Sequence, residues 1–239
     1  MRYLPIALAA VTLIAADSGL AADPDAWSIY LAAREQAGGA QPGRLVDYSY
    51  EVVTTLPAGK SQVDVHGSVV VILPDLIRQE LQTPQGPTQL FFDGTSAWQV
   101  LGGKRRDLPN EAAGLQRAEL ARRHVLHGEL PAKELVRYRR EEQVDNRIAD
   151  VIEIVDVGGA PLRLYVDRES KDVLKQVYVG DVPGGGMAQV EEVQSDFVDV
   201  NGFRFATRRA VLRNGEPART SALSGIRVNG GVKREILLH

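Results

Sequence analysis

The residues best suited to chemistry in this 239-residue chain are two histidines and a nearby carboxylate, His124, His127 and Glu129. Histidines three apart share one face of a helix, and binding a divalent metal is the chemistry such a pair suggests. The zinc-peptidase patterns need a glutamate base between or beside the ligands, where this chain has Val125 and Leu126. The pair is therefore expected to mark an ordinary helix end, with imidazoles near the negative pole of the dipole.

Other reactive constellations are missing. With no cysteine there is no disulfide, no thiol nucleophile and no cysteine-ligated zinc. No G-x-S-x-G elbow or Walker loop occurs, and Gly184-Gly185-Gly186 follows Pro183 between strand-like segments instead of opening a helix, so it reads as a loop. The carboxylate pairs Glu141-Glu142 and Glu191-Glu192 are neighbours in strand-like runs and point to opposite faces, which argues against shared acid/base work. The expectation is a protein with no catalytic residue, no metal and no cofactor.

Charge excludes a further class. The formal net charge is −3, and the basic runs Lys104-Arg105-Arg106 and Arg137 to Arg140 are followed directly by Asp107 and by Glu141-Glu142. Mixed runs of this kind are solvated faces, so nucleic acid is not an expected partner.

The first residues carry an address. Arg2 is followed by an uncharged stretch from Leu4 to Ala16, then by the small residues Ser18, Gly19, Ala21 and Ala22, the shape of a signal peptide. The 13 residues of that stretch fall short of the roughly 20 that span a membrane. Residues 1–21 are expected to be removed near Ala21 or Ala22. The remaining 22–239 form one domain, without a cysteine for lipid attachment or stable membrane insertion, and periplasmic.

The elements that would position a site are mostly strands. Asp25 to Ala37 has helical spacing, with Asp25 as cap, Trp27, Ile29, Tyr30 and Ala33 as an apolar stripe, and Gly38-Gly39 as the stop. A second helix is expected over Glu111 to His127, capped by Asn110, with Leu115, Ala118, Ala121 and Val125 along one face. Elsewhere, six two-residue turn signals separate short β-branched or aromatic runs: Asp93-Gly94, Gly102-Gly103, Asp145-Asn146, Gly158-Gly159, Asn201-Gly202 and Asn214-Gly215. Gaps of two residues leave no room for helical crossovers, so about ten strands are expected in an antiparallel meander. The Asn201-Gly202 turn should pair Val200 with Phe203, Asp199 with Arg204 and Val198 with Phe205, which sorts apolar and charged residues onto opposite faces. Val69 to Leu73 and Val151 to Val155 are apolar at adjacent positions and call for cover on both faces by helices, a second sheet or a ligand.

The stretch from Gly67 to Val100, GSVVVILPDLIRQELQTPQGPTQLFFDGTSAWQV, resembles the periplasmic lipoprotein carriers of the LolA type and their relatives. An apolar strand opens at Gly67 and closes at Pro74, a second runs through Arg78 to Thr83, and Asp93-Gly94 turns into a strand bearing Trp98. The later segments Leu162 to Asp167 and Asp172 to Tyr178, with the Asn201-Gly202 hairpin, match the family's long antiparallel strands. The resemblance implies a mainly β fold, a half-open and strongly curved antiparallel sheet, with two or so helices covering its concave side as a lid.

It also implies a hydrophobic cavity that holds acyl chains. The wall candidates are Val71, Leu73, Phe92, Trp98, Phe203 and Phe205, with Leu115 and Val125 on the underside of the lid. In the lipoprotein carrier itself an arginine stands just before the proline and helps to hold the lid shut; here that residue is Leu73, and the aromatic pair expected after the tryptophan is Gln99-Val100. The resemblance therefore extends to the fold and to an apolar or amphiphilic ligand, a lipid or acylated protein, and not to delivery of lipoproteins. A protein-interaction or sensor module gripping an envelope partner, with no carried ligand, is the alternative.

Overall fold

The computed structural model describes residues 24–40, 44–59, 61–83, 86–181 and 186–237. The expected signal peptide and its cleavage site lie outside the described residues, as do Gly184 and Gly185. Helix α1 (Ala26–Gln36) begins the described chain, and Asp25 caps it by accepting from Trp27 N at 3.3 Å. Six strands follow: β1 (Asp47–Ala58), β2 (Ser61–Ile72), β3 (Leu76–Thr83), β4 (Gly86–Phe92), β5 (Ala97–Leu101) and β6 (Lys104–Asp107). Helix α2 (Asn110–Arg123) interrupts them. The second half holds β7 (Val136–Val144), β8 (Arg147–Ile154), β9 (Leu162–Asp167), β10 (Val173–Asp181), β11 (Met187–Val200), β12 (Phe203–Arg213) and β13 (Glu216–Val228), then a short α3 (Arg234–Leu237).

The thirteen strands form one unclosed, curved, antiparallel sheet. Its order is β6-β5-β4-β3-β2-β1-β13-β12-β11-β10-β9-β8-β7, so the halves meet where β1 pairs with β13. The free edges are β6, whose Lys-Arg-Arg-Asp is exposed throughout, and the charge-rich β7. Edges of this kind resist pairing with other chains.

The turn chemistry acts as expected at the Asn201-Gly202 hairpin, whereas Asp93-Gly94 and Gly158-Gly159 lie within longer loops, 93–96 and 155–161. Asn201 and Gly202 take φ of 51° and 83°, and Val200, Asp199 and Val198 pair with Phe203, Arg204 and Phe205. Arg204 Nη1 donates to Asp199 at 2.8 Å across that hairpin, and to the buried Asp172 through Nε at 2.7 Å.

Both helices lie on the concave side. Tyr30 and Ala33 of α1 pack on Ile152, Ile154, Leu162 and Leu164, all fully or almost fully buried. The other face of β8 needs no second sheet or ligand. Val151, Tyr165, Leu174 and Val177 cluster there, Lys175 lies over the Tyr165 ring at 4.0 Å, and Arg139 and Arg163 pair with the buried Glu153. Long cationic side chains cover the apolar surface with their stems and keep their heads in water.

Helix α2 is shorter than the sequence spacing predicts. Asn110 lies inside it, the N-cap position is Pro109, and the first turn closes on the Pro109 carbonyl with Ala112 N at 2.9 Å. At the other end His124 caps the helix, and residues 124–128 form a turn in which His127 N and Gly128 N both donate to the His124 carbonyl.

Candidate ligand-binding cavities on the concave face

Helix α2 touches the core by a narrow stripe. Ala113 and Leu120 are its buried residues, seated among Val71, Ile77, Phe92 and Ala97. The rest of its attachment is polar, from Arg117 in the middle and from the C-terminal end. Arg117 Nη2 donates to the Gly94 carbonyl at 3.1 Å, with its guanidinium 6.0 Å from the Phe92 ring centre. Arg123 Nη1 donates to Tyr50 Oη at 3.0 Å, and His124 Nε2 lies 2.8 Å from Tyr48 Oη. Beyond the helix, Tyr30 Oη donates to the Val125 carbonyl at 2.8 Å and His127 Nε2 lies 3.0 Å from the Ala37 carbonyl. Gly158 closes against the side of the helix, for a Cβ built there would stand 2.8 Å from Ala118 Cα.

The histidines therefore do not act as cations on a helix dipole. Burial, then the nearby His127 and Arg123, push the His124 imidazole down to about 3. Burial also lowers His127, against the opposing bond to Ala37. Two neutral rings tie the turn after α2 to α1 and β1. Among the described residues, no three His, Asp or Glu side chains are grouped so as to hold a metal.

A helix anchored by one stripe leaves open space on both sides. Toward its C-terminal half lies a cavity of about 470 Å³ walled by Leu73, Pro74, Phe92, Leu120, Ala121 and Val125, with Leu130, Pro131 and Val157 near its mouth. On the other flank is a trough of about 400 Å³ over β1 to β3 and β13. Val52, Val65, Val69, Leu81 and Leu223 form its apolar side; Arg123, Arg209 and Arg219 line it with Glu119 and Glu192. A smaller cavity of about 130 Å³ adjoins the trough under Leu115, Arg122 and Tyr178.

The structure brings Leu73, Phe92 and Val125 together on one cavity wall. Val71 lies beneath them, fully buried in the same core cluster. Phe205 borders a small space near α1, while Phe203 is buried with its ring 6.2 Å from that of His127, and both belong to the concave core. Leu115 lines the smaller cavity only.

Trp98 is the exception. It pairs with Phe91, not Phe92, and side chains alternate along a strand, so Trp98 points to the convex face. There it stacks on Phe91 at 5.3 Å under the guanidinium of Arg105 at 4.2 Å. Of the residues around the cavities, Tyr48, Tyr50, Arg123, Arg209 and Arg219 carried no sequence motif, because they meet only through the pairing of β1 with β13 and of β13 with β12 beneath α2.

No family model matches the sequence, and no curated protein does. Solved structures do. A DUF1329 family protein from Desulfovibrio piger superposes with a TM-score of 0.60 at 13% identity, covering 89% of this chain and 99% of the other. A domain described as an outer membrane lipoprotein-sorting protein, from Vibrio parahaemolyticus, gives 0.57 at 10% identity, with 89% and 97% covered. A LolA superfamily protein from Nitrosomonas europaea gives 0.55 at 15% identity, with 90% and 97% covered. The open sheet, its concave helices and these superpositions define a LolA-like fold.

Proposed function

We propose that this chain is a periplasmic binding or carrier protein that holds an apolar or amphiphilic ligand, a lipid or an acylated protein, against the concave face of its sheet. One observation carries the reading: cavities of about 470 and 400 Å³ remain open on either side of α2. Protein interiors pack like organic crystals, and ligand pockets occupy roughly 300–1,000 Å³. Each CH₂ moved from water into such a space contributes about 0.8 kcal/mol, enough in sum to retain an acyl chain.

Leu73, Phe92 and Val125 serve in this reading as the wall, Val71, Phe203 and Phe205 as its packed support, and Leu115 with Val125 as the underside of the lid. The address fits. The signal-like first 21 residues lead to export, and among the described residues no helix is long and apolar enough to cross a membrane. A LolA-like fold, which the lipoprotein-sorting neighbour shares, supports the same ligand class. We assign the protein no catalytic step.

The experiment is titration of a fluorescent fatty acid into lipid-stripped mature protein. Saturable binding of one molecule per chain, displaced by unlabelled fatty acid, is expected; the absence of saturable binding overturns the reading. A protein partner has a place as well, since Leu130, about half exposed, lines the cavity with Leu73, and the equally exposed Val46 accepts a backbone bond from Leu73. An interaction module with no ligand would use that surface alone, and would bind an envelope partner while ignoring the fatty acid.

A further inference from the structure

The trough beside α2 and the smaller cavity joined to it carry a charge that the rest of the chain does not. Their linings contain five arginines, Arg122, Arg123, Arg209, Arg213 and Arg219, against two glutamates, Glu119 and Glu192. That is an excess of three positive charges inside a protein whose formal net charge is −3. The larger cavity on the other flank has the opposite balance, with Arg44 and Arg117 against Asp75, Glu129 and Asp156.

Internal pairing does not absorb the excess. Arg123 pairs with Glu119, and Arg209 reaches Glu192 only at 3.9 Å. Among the described residues, Arg122, Arg213 and Arg219 have no carboxylate within salt-bridge distance. Arg123 Nε, Arg209 Nε and Gln116 Oε1 are buried with no hydrogen-bond partner. The Arg123 and Arg209 side chains are each only 18% exposed. Unpartnered buried donors on charged groups are costly, and water supplies hydrogen bonds but no compensating charge.

We infer that this cluster receives the oxyanionic headgroup of an acyl amphiphile whose chain lies in the trough along β1 to β3. Guanidinium groups match the geometry of phosphate and carboxylate oxygens and bind them through paired N–H donors. The adjoining wall of Val52, Val65, Val69, Leu81 and Leu223 is continuous with the arginines and takes the apolar part. It runs out to the cross-strand pair Leu56 and Val63, each 38% exposed, which form an apolar lip. Arg209 and Arg219 stand along the β12–β13 side of the trough, Arg219 next to the Thr55–Thr220 pair, so the chain runs from them across β1 and β2 to β3, strands about 4.8 Å apart. The inference rests on the carrier reading and adds to it the sign of the headgroup and the side of the trough on which it sits.

The test uses lipid-stripped mature protein and four probes followed by calorimetry: dodecyl phosphate, dodecanol, dodecylamine and inorganic phosphate. Dodecyl phosphate is expected to bind about tenfold or more tighter than dodecanol, with dodecylamine weaker than both and inorganic phosphate far weaker than the acyl phosphate. In Arg219→Gln, and separately in Arg209→Gln, the preference for phosphate over alcohol should shrink severalfold relative to the wild type. Equal binding of dodecyl phosphate and dodecanol overturns the inference and leaves the carrier reading standing. Inorganic phosphate binding as tightly as dodecyl phosphate also overturns it, as a free-anion site. If no acyl probe binds, the carrier reading falls and this inference with it. The wild-type comparison needs no variant, so a misfolded substitution does not decide the outcome.

Discussion

His124 Nε2 and Tyr48 Oη stand 2.8 Å apart in the buried interior, joining the end of α2 to the strand at the middle of the sheet. The contact is edge-on as well, with ring centres 5.5 Å apart, and Tyr50 stacks on Tyr48 from the next position of the same face. Helix α2 is therefore held at its C-terminal end partly through a neutral imidazole, beside the Arg123–Tyr50 bond, which sets its response to acid.

Stability should fall as pH drops below the ordinary histidine value. The unfolded His124 takes a proton near 6.5, while the folded ring, among Tyr48, His127, Arg123 and Arg209, resists protonation down to about 3. Between those values the unfolded state binds the extra proton, so unfolding becomes easier by about 1.4 kcal/mol per pH unit for this histidine. His127, also lowered, acts in the same direction from the same starting point. Thermal melting followed from pH 7 to 4.5 should show the decline, and His124→Gln should flatten it. A melting temperature that is constant over this range contradicts the arrangement.

Gly158 sets how closely the β8–β9 turn approaches α2. It has φ of 66°, and an added methyl would meet the Ala118 backbone at 2.8 Å. Gly158→Ala should therefore cost about 1–3 kcal/mol in chemical denaturation and raise hydrogen exchange across 110–123.

At the other side of the helix, Arg117 is the donor that ties α2 to the Gly94 carbonyl. Where the lipoprotein carrier that this chain resembles has an arginine before the proline, this chain has Leu73, and Arg117 on the helix reaches the β4–β5 loop. Arg117→Ala should speed hydrogen exchange in the first two turns of α2 severalfold and hasten ligand release, with little effect on the melting temperature. Exchange unchanged in those turns would mean that the bond does not restrain the lid.

Trp98 and Leu73 separate stability from binding. Trp98→Ala removes a packed convex-face ring and should cost about 3 kcal/mol of stability without changing fatty-acid affinity. Leu73→Asp puts a charge in the cavity wall and should weaken binding about tenfold or more, with a smaller loss of stability because Leu73 is only half-buried. Denaturation and fatty-acid titration on both variants check the pair; the reverse pattern would place the ligand on the convex face.

The contrast between these two residues marks what was legible in the sequence. Turn residues are local, so the Asn201-Gly202 hairpin and its whole register followed from six side chains. The strand, proline, strand and DG hairpin order around Pro74 carried the fold. Trp98 went to the wrong face because the choice between Phe91 and Phe92 as its neighbour depends on the β4–β5 register, and which face is concave depends on Phe92 packing beside Ile77 across β3. The helix cap was misplaced by one residue because Pro109 needs no side-chain bond to end the preceding strand and start a turn. The arginine cluster was out of reach for a different reason. Arg123, Arg209 and Arg219 come from three separate elements, and only the pairing of β12 with β13, under α2, makes them neighbours.

If the carrier reading holds, the concave face is occupied in the cell. Mass spectrometry of the mature protein, purified without detergent and sprayed under native and then denaturing conditions, measures this directly. The predicted result is a native mass above the polypeptide mass by one amphiphile, lost on denaturation and recovered in the organic extract. A native mass equal to that of the bare polypeptide, in a preparation that also fails to bind added fatty acid, would contradict it.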